Sequence, residues 1–378
     1  MKSLWMLLVL ATVACSSTSR DLTNLSPEAW DLEVRSRGVD PREAPNPLTI
    51  TEPMRSEALR IAGHGGILER LKQLQVSLFD SDTFPFSYAS RVTLTAAEAF
   101  HRREGNCLSF TNLFVAMGRS MGVPLTTALV LRARGSEKEG DLIVVNNHVI
   151  AVFAYGGGTE YYDFDRTREQ RPAAIKVLDD MWITALYLNN RGADELRAGH
   201  PDVAVRHFRN AVKLAPEFAP AWGNLGVALR RVNEVPAAFQ AYERALAIEP
   251  DNPTVLTNLA GLYRSTGREP EAQIALKAGR VSGASPHVLL MRGDLELAQG
   301  RPDKALEFYR RARRLNSLLP DAWTAMAKAK HALGKDSTAV RYLNRALELD
   351  PEAADARALL ARIGDDRGDG PRPAQLPD

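Results

Sequence analysis

The chain opens with an apolar run that is too short to cross a membrane. Residues 4–13 form an apolar stretch of ten positions, and Lys2 supplies a positive charge in front of it. A helix rises about 1.5 Å per residue, so the stretch would span about 15 Å, or half of a bilayer core. The pattern therefore predicts a signal peptide over residues 1–14 rather than a membrane span.

The residues around the expected cleavage point resemble the bacterial lipobox, in which small residues precede a cysteine that becomes lipidated. Residues 12–17 read TVACSS, with Thr12 where leucine is usual. The resemblance implies lipidation at Cys15. Serines rather than aspartate follow this cysteine, which implies a periplasm-facing lipoprotein of the outer membrane. The alternative is cleavage after Ala14 and a soluble periplasmic protein. The polar residues 15–47 would then be the lipidated cysteine and its tether.

The C-terminal half carries a pattern of small residues spaced 34, 34, 33 and 34 positions apart. The members are Gly192, Gly226, Ala260, Gly293 and Ala327. In each unit an alanine follows after twelve residues, and an aromatic residue or leucine stands four residues further on. Small residues let two helices approach closely where they cross, and proline ends a helix, as at Pro216 and Pro250. The period predicts a series of helix pairs.

These residues resemble the tetratricopeptide repeat. The resemblance implies an all-α solenoid of five repeats over residues 185–353, followed by a C-terminal cap and disordered tail over 354–378. Such arrays usually hold a protein or peptide partner in their concave groove, although an array can also support only its own chain. Asn224 and Asn258 occupy equivalent places on first helices and are weak candidates for groove contacts. The arginines of residues 310–314 are interpreted as a solvated helix face.

The middle of the chain begins with helical periodicity. Apolar residues recur mostly at three- and four-residue steps, at Met54, Leu59, Ile61, Ile67, Leu71, Leu74 and Leu78. This spacing predicts two or three amphipathic helices, with a further short helix over residues 96–103.

A cysteine follows at the start of the next predicted helix. Gly105 and Asn106 can end one helix and cap another, which we expect to run from about Cys107 to Met121. Its core-facing residues would be Phe110, Leu113, Phe114 and Met117. A helix N-terminus stabilises a thiolate, so Cys107 is a candidate nucleophile. A small buried hydrophobe is the alternative.

Three β-like segments come next, over residues 125–133, 144–155 and 160–164, with a glycine-rich hairpin connection over 156–159. His148 falls inside the second segment, where a hydrogen-bonded core histidine is the common case. Alternation puts Asp163 and Asp165 on one face of the third segment, and either could accept a proton from the imidazole.

Three of these motifs together resemble the transglutaminase-like superfamily. They are GNCLSF at residues 105–110, NNHV at 146–149 and YDF at 162–164. The resemblance implies an α+β, papain-like domain over residues 48–184. It also implies that Cys107 is the nucleophile, His148 the general base and Asp163 the residue that orients the imidazole. The family's tryptophan two residues after the histidine is replaced here by Ile150. Trp182 is expected to pack at the domain junction.

The function implied is that of a cell-envelope enzyme that hydrolyses or transfers the acyl group of a peptide or amide through a thioester. The alternative is a catalytically degenerate scaffold that acts through its repeats. The DxD of Asp163 and Asp165 could also belong to a metal-dependent transferase, but no nucleotide-binding motif accompanies it.

Composition and net charge exclude further kinds of partner and site. The chain has 48 Lys+Arg against 46 Asp+Glu, a net charge of +2, so we expect no nucleic-acid partner. Two cysteines exclude a disulfide scaffold, and with 7 histidines a zinc site is not expected. We expect no cofactor and no metal. If Cys15 is lipidated, Cys107 is the only thiol of the mature chain.

Overall fold

The computed structural model describes residues 22–80, 82–130, 135–139, 142–146, 148–164, 172, 174–280 and 286–366. The predicted signal peptide and Cys15 lie outside these residues. The helices of the described residues are α1 Pro27–Ser36, α2 Glu52–Ala62, α3 Ile67–Phe79, α4 Ala96–Arg102, α5 Cys107–Ser120, α6 Asp180–Arg197, α7 Pro201–Leu214, α8 Ala219–Arg231, α9 Val235–Ile248, α10 Pro253–Ser265, α11 Glu269–Arg280, α12 Pro286–Ala298, α13 Pro302–Leu315, α14 Pro320–Ala332, α15 Asp336–Leu349 and α16 Ala354–Asp366. The strands are β1 Ser87–Tyr88, β2 Glu104–Gly105, β3 Thr126–Val130, β4 Gly135–Glu139, β5 Leu142–Asn146, β6 Val149–Tyr155, β7 Gly158–Tyr162 and β8 Ile175–Leu178.

The N-terminal part is α+β, as the sequence predicts, and helix α5 lies at its centre. An antiparallel sheet of order β7-β6-β3-β8 packs against this helix. Every residue of α5 from Leu108 to Gly118 is buried, because helices pack on one side and the sheet on the other. The four apolar residues predicted for its core face are all fully buried.

The predicted strand over residues 144–155 is wrong as a single element. β5 ends at Asn146 and pairs with β4 in a separate two-stranded sheet, whereas β6 begins at Val149 and pairs with β3 and β7. His148 therefore precedes its strand. Apolar residues lie on both sides of the polar residues 146–148, so periodicity alone did not reveal the change of partner.

The segment predicted as a tether over residues 15–47 contains helix α1. Ser26 caps this helix by accepting from the backbone of Ala29, and Trp30 and Val34 are buried within the main core. Lys213 on α7 donates to the backbone oxygen of Gly38 at 2.8 Å. The end of the predicted tether is thus packed against the helical array.

From α6 onwards the structure is an all-helical array of antiparallel pairs, the first of them α6 with α7 and the second α8 with α9. The small residues stand where paired helices cross. A Cβ atom added at Gly226 would lie 2.5 Å from the ring of Tyr242, and glycines 192 and 293 face Phe208 and Tyr309 in the same way. No helix of the described residues is long and apolar enough to span a membrane.

Gly226→Ala is expected to lower the free energy of unfolding by about 1–3 kcal/mol, because the added methyl overlaps the fully buried ring of Tyr242. The urea midpoint of the full chain, followed by helical circular dichroism, measures this. Gly261→Ala is the matched control, since its Cβ would meet only the guanidinium end of Arg230 at 3.2 Å. An equal effect of the two substitutions would contradict the close crossing at Gly226.

Candidate active site

The start of α5 is defined by a side-chain cap. The Asn106 side-chain oxygen accepts from the backbone N–H of Ser109 at 3.0 Å, which ends the chain's extended course and begins the helix. The amide nitrogen of Asn106 donates to Thr93 Oγ1 at 2.7 Å. The predicted capping by Asn106 is confirmed, and Cys107 becomes the first helical residue.

The loop over residues 92–94 braces this cap from outside the helix. Ser109 Oγ accepts from the backbone N–H of Leu94 at 2.8 Å, and the N–H of Asn106 donates to the carbonyl of Val92 at 2.9 Å. Gly105 has φ +151°, and a Cβ atom there would overlap Ser109. Only glycine therefore fits this approach to the helix.

The structure brings Cys107, His148 and Asp163 together. His148 Nε2 lies 2.7 Å from Asp163 Oδ2. The Cys107 side chain also makes a hydrogen bond with His148. Since Nε2 is engaged by the carboxylate, Nδ1 is the ring nitrogen available to the sulfur. The histidine and aspartate side chains are 14% and 20% exposed, so the pair is largely shielded from solvent but not sealed from it.

The positions of the two strand ends explain this meeting. β6 and β7 form an antiparallel hairpin in which Ala151 pairs with Tyr162. Continued past the strand ends, this register brings Asp163 opposite Ile150, two positions from His148, so the imidazole and the carboxylate are diagonal neighbours at the same end of the hairpin. Thr111 Oγ1 on α5 donates to the carbonyl of Val149 at 3.3 Å, which holds the helix against the same end of the hairpin. Asp165 lies outside the described residues.

The carboxylate makes the imidazole a stronger base. The hydrogen bond that His148 Nε2 donates to Asp163 is the largest of the effects that raise the pKa of His148 to about 9, the hydrogen bond with Cys107 adds to it, and burial acts in the opposite direction. The raised pKa favours the imidazolium form of the ring at neutral pH. A cation beside a thiol stabilises its ionised form, which is the arrangement required of a thiolate–imidazolium pair.

Two further groups near the site carry no local sequence signal. Gln75 on α3 donates to the backbone oxygen of Asp163 at 3.1 Å and so fixes the segment that carries the carboxylate. Thr93 holds Asn106, as described above. Both lie distant in sequence from their partners, and no motif includes them. Only the packing of α3 and of the 92–94 loop against α5 reveals them.

Ile150 occupies the place two residues after the histidine. It is 2% exposed and packs with Ala128 and Val152 in a small apolar cluster, apart from the core around α5. The side chain that replaces the family's tryptophan therefore faces away from Cys107.

Trp182 packs at the junction with the helical array, as predicted. Its ring lies 4.8 Å from that of Phe218, between centroids, and Lys176 Nζ lies 3.7 Å above it.

Of the two weak candidates for groove contacts, Asn224 donates to Asn189 at 3.0 Å, and Asn258 is only 8% exposed. The Asn224 amide is thus engaged within the array, and Asn258 is buried there. Among the described residues, no group of three metal-binding side chains is close enough to hold a metal ion.

Comparison with known families assigns both parts. The transglutaminase-like superfamily matches residues 62–165, which contain all three site residues, and the tetratricopeptide repeat matches residues 189–253, 231–293 and 296–363. The chain joins a domain of the transglutaminase-like superfamily to tetratricopeptide repeats, which confirms both resemblances.

Individual relatives match only parts of the chain. The "Tetratricopeptide repeat domain-containing protein PYG7, chloroplastic" of Arabidopsis thaliana is 35% identical over 94 residues, which cover 22% of this chain and 31% of the relative. "Superkiller protein 3" of Schizosaccharomyces pombe is 21% identical over 205 residues, or 52% and 14% of the two chains. The chain therefore spans less than a third of the length of either relative. The solved structure of PilF from Pseudomonas aeruginosa is 24% identical, with a TM-score of 0.26, over 49% of this chain and 85% of that one.

Asp163→Asn is expected to lower the pKa of His148 from about 9 towards the ordinary value of 6.5, because the main charge that favours the imidazolium is lost. The direction of this pKa shift also determines how the stability of the folded protein depends on pH. A raised pKa in the folded state contributes stability that is complete below about pH 6.5 and is lost as the pH rises through about 9. Nitrogen-15 NMR of the imidazoles measures the titration.

His207 on α7 is an internal control, since burial lowers its pKa and it has no part in the site. Its titration should be the same in the two proteins. A neutral His148 ring at pH 7.5 in the wild-type protein would contradict the assignment.

Proposed function

We propose that the chain is a cysteine enzyme that transfers the acyl group of a peptide or amide substrate through a thioester. The observation that carries the proposal is the contact series from Cys107 to His148 and on to Asp163, with 2.7 Å between the last two. A nucleophile, a base and a residue that orients the base are the elements of nucleophilic acyl transfer.

The reaction balances without a cofactor. The Cys107 sulfur attacks the carbonyl carbon, and the C–N bond breaks as the His148 imidazolium gives its proton to the leaving amine. The neutral imidazole then takes a proton from water or from an acceptor amine, which attacks the thioester and releases the sulfur. Asp163 holds the ring and favours its cationic form. The backbone N–H of Cys107, at a helix N-terminus, is the proposed donor to the oxyanion.

The repeats would supply the substrate or a protein partner. Tetratricopeptide repeats offer extended concave surfaces that bind protein segments, and the array here is joined to the catalytic domain by a shared core. We favour water as the resolving nucleophile, because the resemblance to bacterial members of the superfamily points to peptidases more than to cross-linking enzymes.

A thiol-reactive probe tests the nucleophile directly, because the chain has only two cysteines. Wild-type protein and the matched control Cys15→Ser are expected to be labelled by iodoacetamide at pH 7 at least about tenfold faster than a free thiol, because the proposed reaction requires a nucleophile activated by its neighbouring base. Cys107→Ser should lose this labelling. Intact mass spectrometry after timed quenching measures the rates.

If Cys107 is labelled only at the rate of a free thiol, the proposed enzymatic function is contradicted. That result would favour a second candidate function, a scaffold that acts through its repeats. Ile150 supports this alternative, because a buried aliphatic side chain stands where the family has tryptophan. A partner captured equally by wild type and Cys107→Ser, together with an unreactive thiol, is what the scaffold requires.

We further propose that the mature chain is a lipoprotein of the bacterial envelope, anchored through Cys15 and facing the periplasm. Support comes from the apolar run over residues 4–13 and the small residues before the cysteine. Cys15→Ser is expected to abolish incorporation of a clickable fatty acid and to move the protein from the membrane to the soluble fraction. Cys107→Ser should leave both unchanged. Incorporation that survives Cys15→Ser would refute the anchor.

A further inference from the structure

An exposed aromatic ring stacks on a half-buried one near the candidate active site. The rings of Tyr88 and Phe164 stack with centroids 4.3 Å apart and planes inclined by 15°. Tyr88 is 51% exposed, so a large part of its apolar ring surface remains unburied. We call this pair the aromatic shelf.

The shelf adjoins both sides of the site. Tyr88 pairs in register with Gly105, two residues before Cys107, through the short parallel strands β1 and β2. Phe164 directly follows Asp163, whose carboxylate holds His148. The two shelf residues thus belong to the segments that lead into Cys107 and follow Asp163.

The shelf is also rigid, because it is continuous with the buried core. Phe164 lies 6.3 Å from Phe79 and from Phe110, between ring centroids, and Phe110 is fully buried one turn after Cys107. Rings held in this way lose little conformational freedom when a ligand covers them. Folding therefore orders this surface before a ligand binds, and binding loses little further conformational entropy.

We propose that the aromatic shelf is a substrate subsite that takes an aromatic or branched aliphatic side chain next to the amide bond that Cys107 attacks. The inference rests on the proposed function of Cys107 and names its substrate class as peptides with a large apolar residue beside the scissile bond. The shelf would bury that side chain against the ring of Tyr88 and so select it over glycine.

The test uses peptide electrophiles on the full chain with Cys15→Ser, so that Cys107 is the only thiol. One probe series carries phenylalanine or glycine on the acyl side of the electrophile. A second series carries the same two residues on the leaving-group side. The measured quantity is the second-order rate of Cys107 alkylation. In one of the two series the phenylalanine probe is expected to react about tenfold faster than the glycine probe.

Substitutions then assign the preference to the shelf. Tyr88→Ala should reduce the phenylalanine-to-glycine ratio to about 1–2, whereas Tyr88→Phe should retain it, because the face of the ring is kept. Tyr88→Gln removes the ring but retains a longer side chain than alanine, and it gives a second measure if the alanine variant folds poorly. Tyr155→Ala is the matched control, since Tyr155 is a 39% exposed aromatic residue at the far end of β6, and it should keep the ratio.

The outcomes separate the subsite from the nucleophile. A ratio near 1 in both series, with Cys107 still labelled rapidly by iodoacetamide, overturns the subsite and leaves the proposed function standing. A preference that persists in both Tyr88→Ala and Tyr88→Gln also overturns it. A Cys107 that reacts only as a free thiol does, with every probe, removes the proposed function and the subsite together.

Discussion

The position of the helix α5 N-terminus is the constraint on which the candidate site depends. The cap from Asn106 to Ser109 determines that Cys107, rather than a neighbour, is the first helical residue. Because the helix is buried from Leu108 to Gly118, it cannot rotate or slide without disturbing the core. The location of the sulfur is thus set by packing over the whole helix and by a small polar network at its beginning.

The positions of His148 and Asp163 depend on a different constraint, which is the register of one hairpin. A shift of β7 by one residue against β6 would turn its side chains to the opposite face and remove Asp163 from His148. The tight turn and the apolar pairs along the hairpin oppose such a shift. Helix and hairpin are then joined by the contact from Thr111 to Val149, so the two independent constraints meet at the site.

Sequence reasoning succeeded where local signals are strong. The cap at Asn106, the helix that follows and the 34-residue period depend on neighbouring residues or on repetition, and each follows from the sequence alone. It failed where the outcome depends on distant partners. Alternation has a period of two and cannot mark the end of a strand, so it neither found the change between β5 and β6 nor separated Asp163 from Asp165. Gln75 was missed because its role comes only from tertiary packing.

The opposite end of α5 connects the site to the repeats. Arg119 forms an ion pair with Asp180 at the start of α6, with 2.9 Å between the atoms and side chains that are 9% and 2% exposed. Asp180 also accepts from the backbone N–H of Leu25, so three segments meet at one buried carboxylate. Removing either member of a buried pair leaves an uncompensated charge, which makes this junction costly to open.

A single helix therefore runs from the junction to Cys107. The 14 residues of α5 span about 21 Å, with Arg119 near one end and Cys107 at the other. The tilted contact of the Trp182 ring with Phe218 joins the first helix of the array to the next pair. A segment that bound to the first repeats would lie at a fixed distance and orientation from the sulfur, so that recognition by the array and chemistry at Cys107 would be coupled by geometry without any conformational change.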